Sequence, residues 1–89
     1  MERWCLIVVG RVQGVGYRMS CCRQATALGL GGWVRNRLDG SVELEAEGPT
    51  QRLLELLLWC EKGPATAKVT GITTTVIPPT GSDWFEVRS

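Results

Sequence analysis

Residues Gly10 to Arg18 read Gly-Arg-Val-Gln-Gly-Val-Gly-Tyr-Arg, directly after a wholly apolar run, Trp4 to Val9, and directly before a segment of helical spacing. A strand, a loop with three glycines and a helix start must follow one another there, so the chain turns sharply from a sheet into a helix. Two readings of the loop stand. It is a tight turn followed by a surface arginine, or it is an anion site. In the second, main-chain N–H groups turn inward, the helix start adds partial positive charge, and Arg18 supplies a planar fork of donors. The glycine spacing fits neither common nucleotide fingerprint: no Gly-Lys-Ser/Thr ending follows, and Met19 stands where the dinucleotide pattern needs glycine.

The run Trp4 to Val9 is apolar at every position, which predicts a strand covered on both faces or lying mid-sheet. From Arg18 to Leu28, a helix is predicted with Met19, Cys22, Ala25 and Leu28 as its apolar stripe, ended by Gly29 and the pair Gly31-Gly32. Trp33 to Glu47 reads as a hairpin. A two-residue loop at Asp39-Gly40 would mix polar and apolar faces. A three-residue loop, Leu38-Asp39-Gly40, sets Val34 opposite Leu44, Asn36 opposite Val42 and Arg35 opposite Glu43, with one clean apolar face. That register turns Asn36 toward the core at the loop end of its strand. An amide there needs partners, because an unsatisfied one costs roughly 1–3 kcal/mol. A hydrogen-bonded turn asparagine is the alternative.

Gly48-Pro49 opens a second helix, with Leu53, Leu56, Leu57 and Cys60 on one face, Leu54 and Leu58 widening it, and Lys62-Gly63-Pro64 as its stop. Ala65 to Ile77 reads as a strand interrupted near Gly71, and Trp84 to Arg88 as a short closing strand. The order strand, helix, strand, strand, helix, strand predicts an α+β fold. It is a ferredoxin-like two-layer sandwich (βαββαβ) with an antiparallel sheet and both helices on one face.

Composition narrows the function. The formal net charge is +1, so no broad field points to nucleic acid or an anionic membrane, and any anion site must be local. No apolar run approaches the roughly 20 residues that span a bilayer, and no signal peptide is evident, so a cytoplasmic location is expected. The chain has no histidine, which removes Ser–His–Asp and Cys–His catalysis. Its four cysteines, Cys5, Cys21, Cys22 and Cys60, form no Cys-x-x-Cys pair and no histidine joins them, so a structural zinc site is not expected, and the thiols read as small apolar side chains rather than disulfides; no cofactor is expected either. Residues 1–89 are expected to be a single domain, and the expected state is a monomer.

The chain resembles the acylphosphatases. The resemblance rests on Gly10 to Arg18, on Leu28-Gly29-Leu30-Gly31-Gly32-Trp33-Val34-Arg35-Asn36, and on Asp39-Gly40-Ser41-Val42-Glu43. Gly63-Pro64, Ala67-x-Val69 and Phe85-x-Val87-Arg88 extend it over nearly the whole length. It implies the ferredoxin-like sandwich and a metal-free hydrolase that splits carboxyl-phosphate anhydrides into carboxylate and phosphate. By position it implies that Arg18 is the catalytic, phosphate-binding arginine and that Asn36 orients the attacking water. The phosphate cradle would be Val12, Gln13, Gly14, Val15, Gly16 and Tyr17. Tyr17 replaces a usual phenylalanine, and the cysteines lie outside the family pattern.

Such chemistry suits these residues. An acyl phosphate is already activated and its carboxylate leaves readily, so positioning and electrostatic stabilisation suffice. A non-catalytic anion-sensing module on the same fold is the alternative. An RNA-binding sandwich is disfavoured, since Ser41, Glu43 and Glu45 occupy the exposed face where bases would stack on aromatics. The length of 89 residues without a flanking linker suggests a free-standing enzyme acting on a small acyl phosphate.

Overall fold

A computed structural model describes residues 1–89. The elements are β1 (Glu2–Arg11), α1 (Tyr17–Ala27), β2 (Gly31–Asn36), β3 (Val42–Gly48), α2 (Thr50–Lys62), β4 (Lys68–Ile77) and β5 (Phe85–Val87). The strands form one sheet in the order β4-β1-β3-β2-β5. Both helices pack on one face, as predicted for a ferredoxin-like sandwich.

The sheet is mixed rather than purely antiparallel, because β5 pairs with β2 in parallel, Gly32 beside Phe85 and Val34 beside Val87. The reason is the path of the chain. β4 runs antiparallel to β1 and ends where β1 begins, with Ile77 beside Arg3. The chain crosses there to the far edge of the sheet and must set out again in the direction of β1 and β2.

β1 does lie mid-sheet, between β3 and β4. Only one of its faces is covered, however. Trp4, Leu6 and Val8 are buried under the helices, Cys5 and Ile7 are half-buried on the open face, and Val9 is exposed. Continuous apolarity reported the strand's central place, not a second helical layer. The open face instead carries a buried ionic cluster that the sequence reading did not anticipate. Arg3 is 4% exposed, its Nε donates to Glu45 at 2.8 Å and its Nη1 to Glu47 at 3.1 Å. Glu47 in turn accepts from the N–H groups of Thr80 at 2.7 Å and Gly81 at 2.8 Å, and so pins the crossing segment.

The buried stripe of α1 is Tyr17, Cys21 and Ala25; of the predicted stripe only Ala25 is buried, Cys22 and Leu28 are half-buried and Met19 is exposed. Residues advance about 100° round a helix, so three steps of three drift by about 180° and put Met19 and Leu28 on opposite sides. Steps of four drift by only about 40° each and stay on one face. Gly29, with φ of 71°, ends the helix region, but Gly31 and Gly32 already belong to β2. At Gly31 the backbone of Ser82 leaves no room for a Cβ, so the crossing segment packs directly on the strand.

In α2, Leu53, Leu56 and Cys60 are buried and Leu57 is half-buried, whereas Leu54 and Leu58 are exposed. These two stand one position, about 100°, round from Leu53 and Leu57, beyond the rim that a single sheet covers. β4 carries one extra residue, Thr70, where its register against β1 shifts beside the pair Val9–Gly71. The predicted interruption near Gly71 is this bulge.

The hairpin has the predicted register: Val34 faces Leu44, Arg35 faces Glu43, and Asn36 faces Val42. Arg35 and Glu43 form the expected cross-strand ion pair, 2.7 Å from Nη2 to Oε1. The carboxylate of Asp39 folds the turn by accepting from the N–H of Ser41 at 3.0 Å and its hydroxyl at 2.6 Å.

Candidate active site

Between the end of β1 and the start of α1 the chain makes the predicted sharp turn. Gly14 and Gly16 take positive φ values of 73° and 79°, a region that side-chain-bearing residues rarely enter. Gly16 is the N-cap of α1, with no side chain capping the helix and no acidic residue in the first turn. The N–H groups of residues 13–17 bond to no main-chain carbonyl. The helix therefore begins with unneutralised donors and with the positive end of its dipole.

Three neighbours brace this turn. Thr66 donates its hydroxyl to the carbonyl of Val15 at 2.9 Å, and Gln13 donates its side-chain amide to the hairpin, to the carbonyls of Arg37 at 2.7 Å and Ser41 at 2.9 Å. Below, the buried Tyr17 ring lies against Trp59 with centroids 5.4 Å apart. Its hydroxyl donates to the carbonyl of Cys60 at 2.7 Å. That carbonyl sits four residues before Pro64, which has no N–H to give it, so Tyr17 satisfies a group that the helix leaves orphaned. Burial pushes the Tyr17 hydroxyl far up from its ordinary range, so it stays a neutral donor.

A small cavity of about 120 Å³ opens above the turn, lined by Val12, Gly14, Gly16, Tyr17, Arg18, Met19 and Asn36. Arg18 stands in the first turn of α1, and its Nη1 donates to the carbonyl of Arg88 beyond β5 at 3.0 Å. Asn36 ends β2, and its Oδ1 is buried without a hydrogen-bond partner. No acidic side chain lines the cavity. A wider recess of about 400 Å³ lies along the hairpin, lined by Arg35, Asn36, Arg37, Leu38 and Asp39. The smaller cavity matters more for chemistry, since the helix start, the glycine turn, Arg18 and Asn36 all line it.

Of the residues singled out in the sequence, Val12, Gly14, Gly16, Tyr17, Arg18 and Asn36 are brought round this one cavity. The side chain of Gln13 points away to the hairpin, and Val15 packs against the core. The roles of Thr66 and Arg88 were missed. Both act across long stretches of chain through groups that spacing does not advertise, a hydroxyl and a carbonyl.

No group of three or more His, Cys, Asp or Glu side chains is placed to hold a metal. All four cysteines are free, with Cys21 and Cys60 buried. The hydrogen bond to Cys60, and then burial, raise the Cys21 thiol, while burial and the carboxylate of Glu43 raise Cys5. Neither is a thiolate nucleophile at neutral pH.

Comparison with known proteins bears on the fold and the sequence as a whole. The family model described as Acylphosphatase matches residues 4–87. An acylphosphatase of Synechococcus sp. (strain WH7803) is 58% identical over 88 residues, covering 99% of this chain and 88% of the relative. The crystal structure of acylphosphatase from Bacillus subtilis superposes with a TM-score of 0.96 at 39% identity, covering 100% of both chains. The structure of an acylphosphatase from Coxiella burnetii superposes with a TM-score of 0.94 at 36% identity, over 98% of this chain and 92% of the other. With the family model matching residues 4–87 and relatives of more than half identity covering nearly the whole length, the chain belongs to the acylphosphatase family.

Proposed function

We propose that this chain hydrolyses the carboxyl–phosphate bond of small acyl phosphates in the cavity between the glycine turn and Asn36. The observation that carries the reading is the pairing of a buried, partnerless amide oxygen on Asn36 with Arg18 and the helix start around one cavity. A buried polar atom without a partner costs roughly 1–3 kcal/mol and persists where it has a task.

In this reading the phosphoryl group lies against the N–H groups of the turn from Val12 to Tyr17, and Arg18 clasps its oxygens. The helix dipole and the guanidinium balance its charge as the bond to the carboxylate stretches. Asn36 Oδ1 accepts a hydrogen bond from water and aims its lone pair at phosphorus, opposite the leaving oxygen. The new P–O bond forms as the P–O bond to the acyl group breaks, and the carboxylate leaves as an anion without needing a proton. The water proton passes to a phosphoryl oxygen and thence to solvent. Acyl phosphate dianion and water thus give carboxylate, hydrogen phosphate and one proton. No side chain has to act as acid or base.

No helix is long and apolar enough to cross a membrane. We read residues 1–89 as one domain working as a monomer on dissolved cytoplasmic substrate, without a cofactor. The test is hydrolysis of acetyl phosphate in the presence of a chelator, with inorganic phosphate as competitive inhibitor. Phosphate binding without turnover would leave an anion-sensing module instead.

A further inference from the structure

We propose that the side chain of Gln13 is a positioning residue for this reaction, setting the distance between the glycine turn and Asn36; the inference rests on the function proposed above. Its Nε2 donates one hydrogen to the carbonyl of Arg37 at 2.7 Å and the other to that of Ser41 at 2.9 Å. These two residues close the hairpin loop, where the N–H of Arg37 itself donates to the carbonyl of Ser41 at 2.8 Å. The next rung of the ladder is Asn36 with Val42. One amide therefore clasps both strands of the hairpin a single residue from the side chain that aims the water.

The hairpin needs such a clasp at this point. β5 supports β2 only along Gly32 to Val34, so Asn36 lies past the end of the neighbouring strand. Its position is otherwise held from one side, by β3. The fit is also chemically narrow. Two carbonyl acceptors require two hydrogens on one atom at the end of a three-carbon reach, which glutamine supplies and glutamate or methionine does not. The residue that reaches across is itself part of the turn proposed to cradle phosphate. The two halves of the site are thus tied by a neutral group that adds no charge beside the substrate.

Steady-state kinetics on acetyl phosphate tests this in the full chain. Gln13→Met is expected to lower kcat roughly tenfold or more, since misplacement near 1 Å can cost about a hundredfold, while KM and inhibition by inorganic phosphate shift less than about threefold. In an Asn36→Ala background the same substitution is expected to change kcat less than about twofold, because the group it positions is gone. An unchanged kcat in the single variant overturns the proposal. So does an equal proportional loss in both backgrounds, or a parallel weakening of phosphate inhibition. Should Gln13→Met fail to fold, the unsubstituted protein still decides: Gln13 side-chain protons that exchange as fast as those of the exposed Gln51 overturn the clasp. An unsubstituted protein that leaves acetyl phosphate intact overturns the underlying function, and the positioning role with it. Normal turnover with an indifferent Gln13 overturns the positioning role alone.

Discussion

Arg18 is tied to Arg88 by a 3.0 Å hydrogen bond from its guanidinium to the main-chain carbonyl, across 70 residues of sequence. The end of the chain is itself anchored, because the N–H of Arg88 donates to the carbonyl of Val34 at 2.8 Å and its guanidinium lies 5.0 Å from the Trp33 ring centroid. The short closing strand therefore does more than finish the sheet. It holds one side of the arginine through a single one of its five guanidinium donors. Deleting Arg88 and Ser89 is expected to lower kcat/KM for acetyl phosphate roughly tenfold, from lost orientation rather than lost charge. A shortened chain with full activity would show that Arg18 needs no such hold.

Removing the guanidinium outright is expected to be far more damaging. Arg18→Ala should reduce turnover of acetyl phosphate at least about 100-fold, in line with the loss of one preorganised donor to developing charge. Arg18→Lys keeps the charge but not the fork, and is expected to recover only part of the rate. Rates for both variants and their inhibition by phosphate check this. Retention of most activity in Arg18→Ala sinks the proposed chemistry.

Asn36→Ala separates catalysis from stability. Its kcat is expected to fall about 100-fold through loss of water positioning, with phosphate inhibition little changed. Its melting temperature is expected to stay level, because no protein group donates a hydrogen bond to that oxygen. Thermal denaturation beside kinetics is the measurement. A lower melting temperature would mean that the amide serves the fold.

Tyr17→Phe is expected to behave in the opposite way. Without the hydroxyl, the Cys60 carbonyl loses its 2.7 Å partner, and Pro64 has no N–H to replace it. A loss of about 1–2 kcal/mol in chemical denaturation is expected, with kcat changed less than about twofold. The turn's main-chain donors do not depend on that hydroxyl.

Acid should loosen the crossing segment before it loosens the site. The N–H groups of Thr80 and Gly81, with the Arg3 guanidinium, hold the Glu47 carboxyl below its ordinary value of 4.5. A carboxyl whose folded value is depressed contributes stability that is fully present above its unfolded value and is lost as pH falls through the folded one. Stability is therefore expected to be level from neutrality to about pH 5 and then to decline. Glu47→Gln should start lower and show a shallower decline. Denaturation midpoints measured from pH 7 to pH 3 test this, and parallel curves for both proteins would count against it.

Much of the geometry of the candidate site was legible in the sequence because it is built from local rules. Glycines placed between a strand and a helix dictate the turn at Gly14 and Gly16, and Arg18 follows in the helix's first turn whatever the rest of the chain does. The hairpin register followed from keeping Val34, Val42 and Leu44 on one face, and that alone carried Asn36 to the core side. The α1 stripe failed for a geometric reason, since spacings of three wander round a helix. The width of the α2 face failed, and the choice between a mid-sheet β1 and one covered on both faces stayed open, because periodicity reports apolar positions but not how many layers exist to bury them.

What the sequence by itself determined, then, was the local conformation of each piece and the order of the pieces, since turn chemistry and side-chain period act over a few residues. The long-range ties were decided only in three dimensions: Gln13 to the hairpin, Arg18 to Arg88, Tyr17 to Cys60, and Arg3 to Glu47. Each joins a side chain to a group at least 24 residues away, and three of the four accept through a main-chain carbonyl. Every residue but proline offers the same carbonyl and N–H, so no residue type marks which of them will be met until the chain has folded back on itself.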